Sequence, residues 1–240
     1  MLRKGALLLV LGMLFCLPLQ AQDLTLETVL ERHFDALGGL ELIQGIQSME
    51  GTGRMTVGPG GMEASFTRYA KRPNKVRLEI EIQGMTGVQA FDGETAWMFM
   101  PFMGQTSPEV MPDDMAAAMM QEADLDGPLV DYATKGNQVE IVGVEEGAYK
   151  LQVTLRSGDV QHYFIDAETF LLLKVTGSMT MQGMDLEFQT SFSDFRDISG
   201  VLVPHHIDMT GMQGPGTEGV VIIESMQINT EIDDSLFRMQ

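Results

Sequence analysis

The chain has 240 residues, with 15 Lys and Arg against 34 Asp and Glu, and its formal charge of −19 excludes nucleic-acid binding and simple electrostatic adhesion to anionic lipid. Its one cysteine, Cys16, lies near the start, so an exported chain that has lost its first residues has no disulfide and no thiol nucleophile. Such a chain must be held by an apolar core, for which this length is ample.

Arg3 and Lys4 precede the apolar run ALLLVLGMLFCLPL, and Leu19-Gln20-Ala21 closes it with a small residue. This is the pattern of a cleaved secretory signal peptide over residues 1–21. The run is shorter than the ~20 apolar residues a membrane span needs. Phe15 stands before Cys16 where a lipid-attachment cysteine has a small residue, so the mature chain is expected to begin at Gln22 without a lipid anchor. The expected location is the periplasm of a Gram-negative type envelope, and residues 22–240 read as a single domain.

Leu26, Val29, Leu30, Phe34 and Leu37 recur at helical spacing, with Asp23 or Thr25 as cap and Gly38-Gly39 as terminator. From Ile46 onward the period changes to two. Roughly a dozen strand-like runs follow, joined by short signals such as Gly60-Gly61, Asp92-Gly93, Gly158-Asp159 and Asp166-Ala167. Hairpin order without parallel crossovers predicts an antiparallel meander. A sheet of that size must curl or close to protect its edges. One interruption, between Thr106 and Gly136, contains MPDDMAAAMMQEA, which reads as a short amphipathic helix with Met115, Met119 and Met120 on one side. DLDGPLVDYATKG follows as a second short helix or a loop. The predicted class is mainly β (α+β): a curled antiparallel sheet forming an incomplete barrel, with an N-terminal helix and short lid helices.

Catalysis has little to stand on. His33, His162, His205 and His206 have no metal-ligand partners at helical spacing, and adjacent strand residues such as His205-His206 point to opposite faces. There is no H-E-x-x-H and no G-x-S-x-G. The stretch DLDGPLVD lacks the ligands of a calcium loop. No enzyme, metal or cofactor is expected.

Methionine is the anomaly, with 20 in the chain. Several cluster: Met98, Met100 and Met103; Met115, Met119 and Met120; Met179, Met181 and Met184; Met209 and Met212. Three readings stand open: core filling, soft-metal binding through thioethers, and an adaptable apolar binding surface.

The stretch from Tyr69 to Gln105 adds more. Lys71-Arg72-Pro73-Asn74 precedes a strand, and Asp92-Gly93-Glu94-Thr95-Ala96-Trp97 turns into Met98-Phe99-Met100-Pro101-Phe102. This order resembles the LolA family of periplasmic carriers of outer-membrane lipoproteins, whose corresponding segments run KRPN and DGKTLWFYNPF. Gly38-Gly39, Pro204-His205-His206-Ile207 and Asp233-Asp234-Ser235-Leu236-Phe237 extend the likeness to the broader set of outer-membrane lipoprotein-sorting proteins. Val76 stands where the family has an aromatic residue, and Glu94 where it has lysine.

The resemblance implies an incomplete barrel whose helices lid an apolar cavity for acyl chains. Its lining is expected from Trp97, Met98, Phe99, Met100, Phe102, Met103, Val76, Met115 and Met119. Of the alternating Trp97/Phe99 and Met98/Met100 pairs, one should point inward and the other outward. Arg72 is implied as a lid latch, bonding backbone carbonyls of the insertion between Thr106 and Gly136. The implied partners are lipid or lipoprotein acyl chains and sorting components of the inner and outer membranes, with the protein acting as a monomer. An envelope scaffold using the same fold, or methionine-based copper binding, are the alternatives.

Overall fold

The structure, a computed structural model, describes residues 24–57, 61–181, 184–211 and 217–239. The expected leader, Gly60 and Met212 lie outside the described residues.

Helix α1 is Leu26–Ala36, and its N-cap is Thr25, whose hydroxyl accepts a hydrogen bond from the Thr28 N–H at 3.3 Å. Gly38 and Gly39 follow with φ of 115° and 105°. A Cβ on Gly38 would sit 2.0 Å from the Gly200 carbonyl oxygen, so this corner presses directly on a sheet turn. A second helix, α2 (Leu40–Gly45), was not expected. It is too short to display a period, and Gly39 starts it as readily as it ends α1.

Among the described residues, thirteen strands form one sheet. The first group is β1 Ser48–Val57, β2 Met62–Lys71, β3 Lys75–Ile82, β4 Met85–Phe91, β5 Ala96–Phe99 and β6 Glu109–Val110. Helix α3, Asp113–Glu122, follows. The second group is β7 Gln138–Glu145, β8 Ala148–Thr154, β9 Val160–Asp166, β10 Leu172–Met181, β11 Met184–Ile198, β12 Val201–Thr210 and β13 Glu218–Ile228. The order across the sheet is β6-β5-β4-β3-β2-β1-β13-β12-β11-β10-β9-β8-β7, with every neighbour antiparallel. β6 and β7 are the two edges, so this is the incomplete barrel the pattern predicts. The two-residue β6, boxed between Pro108 and Pro112, is too short to read from sequence. β11 runs to Ile198, past its expected end, through Asp194 at φ 52°.

Cross-strand partners share a face. One row runs Ile228, Met49, Ala70, Val76, Phe91, Ala96 across six strands. Another runs Ile141, Leu151, Tyr163, Val175, Thr190 and Met209. Both belong to the inner face, the one the helices cover. Val29 and Leu30 of α1 pack on Leu151, Val153, Tyr163, Ile165 and Val175. Ile43 and Ile46 pack with Val130 and Val201. Alpha-3 covers the row through Val76 and Phe91.

Turns of an antiparallel meander alternate between two ends. At one end lie residues 72–74, 92–95, 146–147, 166–171 and 199–200, together with α1 and α2. The His33 ring Nδ1 is 2.7 Å from the Phe170 carbonyl oxygen, and the Leu202 N–H donates to the Leu37 carbonyl, which tie the helices there. The opposite, hairpin end carries the turns at 83–84, 100–105 and 155–159.

Candidate functional site

The site is built from the floor upward. Val76 and Phe91 are neighbours on adjacent strands, both nearly inaccessible, with Ala70 and Ala96 on either side. The small alanines leave room above the sheet, and methionine takes it. Met49, Met98, Met111, Met115 and Met119 all belong to this one cluster. Unbranched thioethers repack around changing neighbours at little cost, so this contact between helix and sheet is chemically soft.

Alpha-3 is positioned by its ends. The Met111 N–H donates to the Ala96 carbonyl at 3.0 Å, fixing where the chain leaves the sheet edge. Pro112 and the acidic pair Asp113-Asp114 start the helix in accord with its dipole. At the other end Arg68 Nη2 donates to the Glu122 backbone carbonyl at 2.9 Å. Arg68 lies two residues from both Phe66 and Ala70, so it rises from the inner face itself. No motif pointed to it: a charged residue in a strand reads as solvent-facing until the helix above it is known.

Met100 and Phe102 reach the same inner face from the loop after β5. A Cβ placed on Gly87 would lie 2.6 Å from Met100 Sδ and from the Phe102 ring, so the glycine is the seat on which both rest. The loop is closed by the Gln105 side chain, whose oxygen accepts from the Met100 N–H at 2.6 Å.

The structure thus brings together Val76, Met98, Met115 and Met119, with Met100 and Phe102 on the same face further along β4. It places the other three elsewhere. Trp97 and Phe99 lie on the outer face with Val88 and Ala90. The Trp97 indole Nε1–H donates to the Phe237 carbonyl at 2.8 Å, and the Arg77 guanidinium stacks 5.6 Å from the ring centroid. Trp97 is therefore held beneath a C-terminal strap, Asp234–Phe237, that Lys71 and Lys75 also grip through Asp234. Met103 is 77% exposed at the loop tip and lines nothing.

Arg72 stands at the helix end, after β2. Its Nε donates to the Ile46 carbonyl and its Nη2 to the Ile43 carbonyl, while Nη1 and Nη2 form a bidentate pair with the Asp126 carboxylate, Nη1 at 2.6 Å. Asp126 belongs to the insertion. The bond to that segment thus runs to a carboxylate, and the backbone carbonyls Arg72 binds come from the α2 region instead. The planar fork suits this geometry, since one guanidinium can serve a carboxylate and two carbonyls at once. Arg72 holds the Asp126 carboxyl below the usual carboxylate range, against the opposing effect of burial, and Asp126 in turn raises the Arg72 guanidinium. Lys135 pins the same loop by donating to Asp124 and, at 2.7 Å, to the Gly127 carbonyl.

The histidines do other work. His33 and His205 are buried and bonded to carbonyls of Phe170 and Val203. Burial lowers the His33 pKa. Among the described residues no group of three or more His, Cys, Asp and Glu is placed to hold a metal, and no helix is long and apolar enough to cross a membrane.

Compared by sequence, the chain matches no family model and no curated protein. Compared by structure it does match. A LolA superfamily protein from Nitrosomonas europaea superposes with a TM-score of 0.61 at 16% identity, over 90% of this chain and 98% of that one. An outer membrane lipoprotein-sorting protein domain from Vibrio parahaemolyticus gives 0.58 at 13% identity, over 88% and 97%. The chain has a LolA-like fold. A DUF1329 family protein from Desulfovibrio piger shares this LolA-like fold, with a TM-score of 0.59 at 14% identity over 88% of this chain and 96% of its own. Within the LolA-like fold of this chain, the KRPN and DGETAW segments sit side by side. Asp92 Oδ1 accepts from the Glu94 and Thr95 N–H groups, and the Asn74 Oδ1 would lie 3.1 Å from a Cβ on Gly93.

Proposed function

We propose that this chain is a non-catalytic periplasmic carrier. It takes acyl chains of lipoproteins or other lipids between the inner face of the sheet and α3, and carries them toward the outer membrane. The observation that carries this reading is the soft contact itself. A helix whose buried side is methionine and alanine lies on a wall of Met49, Met98, Val76 and Phe91. Its far end packs through Ala123 and Leu125 and is bonded by Arg68 and, through the following loop, by Arg72 and Lys135. The LolA-like fold and the lipoprotein-sorting name of one structural neighbour support the same assignment.

The energetics favour exchange. An acyl chain of about fourteen methylenes gains on the order of 10 kcal/mol on leaving water at ~0.8 kcal/mol each. The polar bonds holding the insertion are worth a few kcal/mol together, and the apolar side of α3 that cargo lifts from the sheet can repack on the acyl chain. Cargo can therefore displace α3 and occupy the apolar surface that its methionines cover, and no base or metal is needed. Release requires the reverse, with Arg72 and Asp126 re-pairing as the chain leaves for an acceptor component at the outer membrane.

The test is native mass spectrometry of the protein isolated from periplasm, followed by extraction and identification of bound lipid. One bound lipid per chain, displaceable by a fluorescent fatty acyl probe, is the expected result. A protein that carries no lipid and takes up no probe refutes the carrier reading.

A further inference from the structure

Arg68 is at odds with the wall it stands on. The strand register assigns the inner face of β2 to Met62, Ala64, Phe66, Arg68 and Ala70. On β1, β3, β4 and β5 every inner-face residue is uncharged, and Gln89 is the one with a polar side chain. The next charge on this face is at the sheet edge, where Glu109 of β6 is exposed beside Met98 and bonded by Gln105. A lone cation on an apolar wall gives up hydration, and it needs acceptors in return.

Its acceptors are sparse. Nη2 donates to the Glu122 carbonyl at 2.9 Å, and among the described residues Nε and Nη1 hold no hydrogen bond. The Glu122 carboxylate is 3.6 Å from Nη2, but that side chain is 66% exposed against 30% for Arg68, so the ion pair is loose. The carbonyl belongs to the last turn of α3, which carries the negative end of the helix dipole. It stands where an anionic oxygen would. The position also suits cargo: Ala70, in the floor of the apolar cluster, is the next inner-face residue on the same strand, about 7 Å away at ~3.4 Å per residue.

We propose that Arg68 is a headgroup site, which makes the cavity select acyl lipids whose head carries a carboxylate or phosphate. This rests on the carrier reading. When cargo lifts α3, the Glu122 carbonyl and carboxylate leave with the helix, while the guanidinium stays on β2. Anionic oxygens of the lipid then take the vacated donor and the Nε–H and Nη1–H groups that had no partner. A single bond to a carbonyl is exchanged for a charge-assisted pair that the planar guanidinium can make in bidentate form. The acyl chain runs from there over Ala70 and Val76 toward the methionines. The acidity of the chain as a whole does not cancel this preference, because at physiological salt exposed charges beyond about 8 Å are largely screened.

Three ligands of one chain length test it: hexadecanoate, hexadecyl phosphate and hexadecanol. Each displaces a neutral fluorescent acyl probe from the wild type, Arg68→Gln and Arg68→Lys at physiological salt. The wild type is expected to bind the two anions about tenfold more tightly than the alcohol. Arg68→Gln should bring all three to one affinity by weakening the anions, with hexadecanol bound as tightly as before or more so. Arg68→Lys should restore part of the preference, since it keeps the charge without the fork. A wild type that binds the three equally overturns the proposal, and that comparison needs no variant to fold. So does an Arg68→Gln protein that keeps the anion preference, or one whose affinities for all three change in the same proportion, which would leave Arg68 as a cap of α3 alone. A wild type that binds none of them sinks the carrier reading itself, whereas hexadecanol bound as well as the anions sinks the headgroup site and leaves the carrier standing.

Discussion

Replacing Arg72 by leucine should loosen the insertion that follows α3 while leaving the sheet intact. Two carbonyls lose a donor, and the Asp126 carboxylate, whose side chain is only 13% exposed, loses its bidentate partner. Stranding a largely buried charge costs about 3 kcal/mol, which is roughly a hundredfold more of the open form. Lysine keeps the charge but not the fork, and should cost about 1 kcal/mol. The measurement is amide hydrogen exchange across residues 124–136 under native conditions, for Arg72→Leu, Asp126→Leu and the double variant. Because each single change strands the other partner, the double variant should be less destabilised than their sum by about 2 kcal/mol. In acyl-probe experiments Arg72→Leu should load normally or faster and release to an acceptor more slowly. Additive single effects, or exchange rates over 124–136 that match the wild type, would refute the latch. Acid gives a second handle with a defined sign. Asp126 has a lowered folded-state pKa, so its contribution is present above the unfolded value and is lost as pH falls through the folded one. The pair therefore stays closed throughout the physiological range and opens only below about pH 4, which leaves cargo rather than pH as the trigger.

Met98→Asp and Met115→Asp each put a charge into the cluster shared by α3 and the sheet, and each should abolish retention of the acyl probe, read by fluorescence on folded protein. Gly87→Val should shift the Met100–Phe102 loop and cost about 1–3 kcal/mol in urea unfolding, because the new side chain meets Met100 Sδ and the Phe102 ring. Trp97→Phe should cost about 1–2 kcal/mol through the lost bond to Phe237 and leave probe uptake unchanged, since the indole is on the outer face. Lys71 and Lys75 hold the Asp234 carboxyl down to about 2 and buried Phe237 anchors the strap, so the strap over Trp97 should stay docked as pH falls from 3.8 toward 2, reported by unshifted fluorescence of the chain's one tryptophan.

The period-two pattern from Ile46 onward, the Asp92-Gly93 hairpin and the Met-rich helix each state their structure locally, and all three appear where the pattern puts them. Alpha-2 does not, because one and a half turns cannot establish a period. Which face of β5 turns inward was also hidden. Trp97, Met98 and Phe99 are all large and apolar, so alternation leaves two equal choices, and only the docking of Phe237 from the far end of the chain selects one. The partner of Arg72 was hidden for the same reason. Asp126 lies 54 residues away, in a stretch whose acids look interchangeable until the fold brings one of them under the guanidinium.

The first strand pairs with the last, so β1 and β13 lie in the middle of the sheet and the two edges come from the middle of the chain. Everything else in the sheet is made by neighbours in sequence. Each half, β1–β6 and β7–β13, can therefore assemble by closing short hairpins, and a single long-range pairing then zips the halves together. That order puts the slow step of folding at the β1–β13 seam, where the cost of closing the longest loop falls. It also makes the stretch between β6 and β7 a place where the chain could be cut without dividing either half. Two separately made fragments should then find each other through β1 and β13.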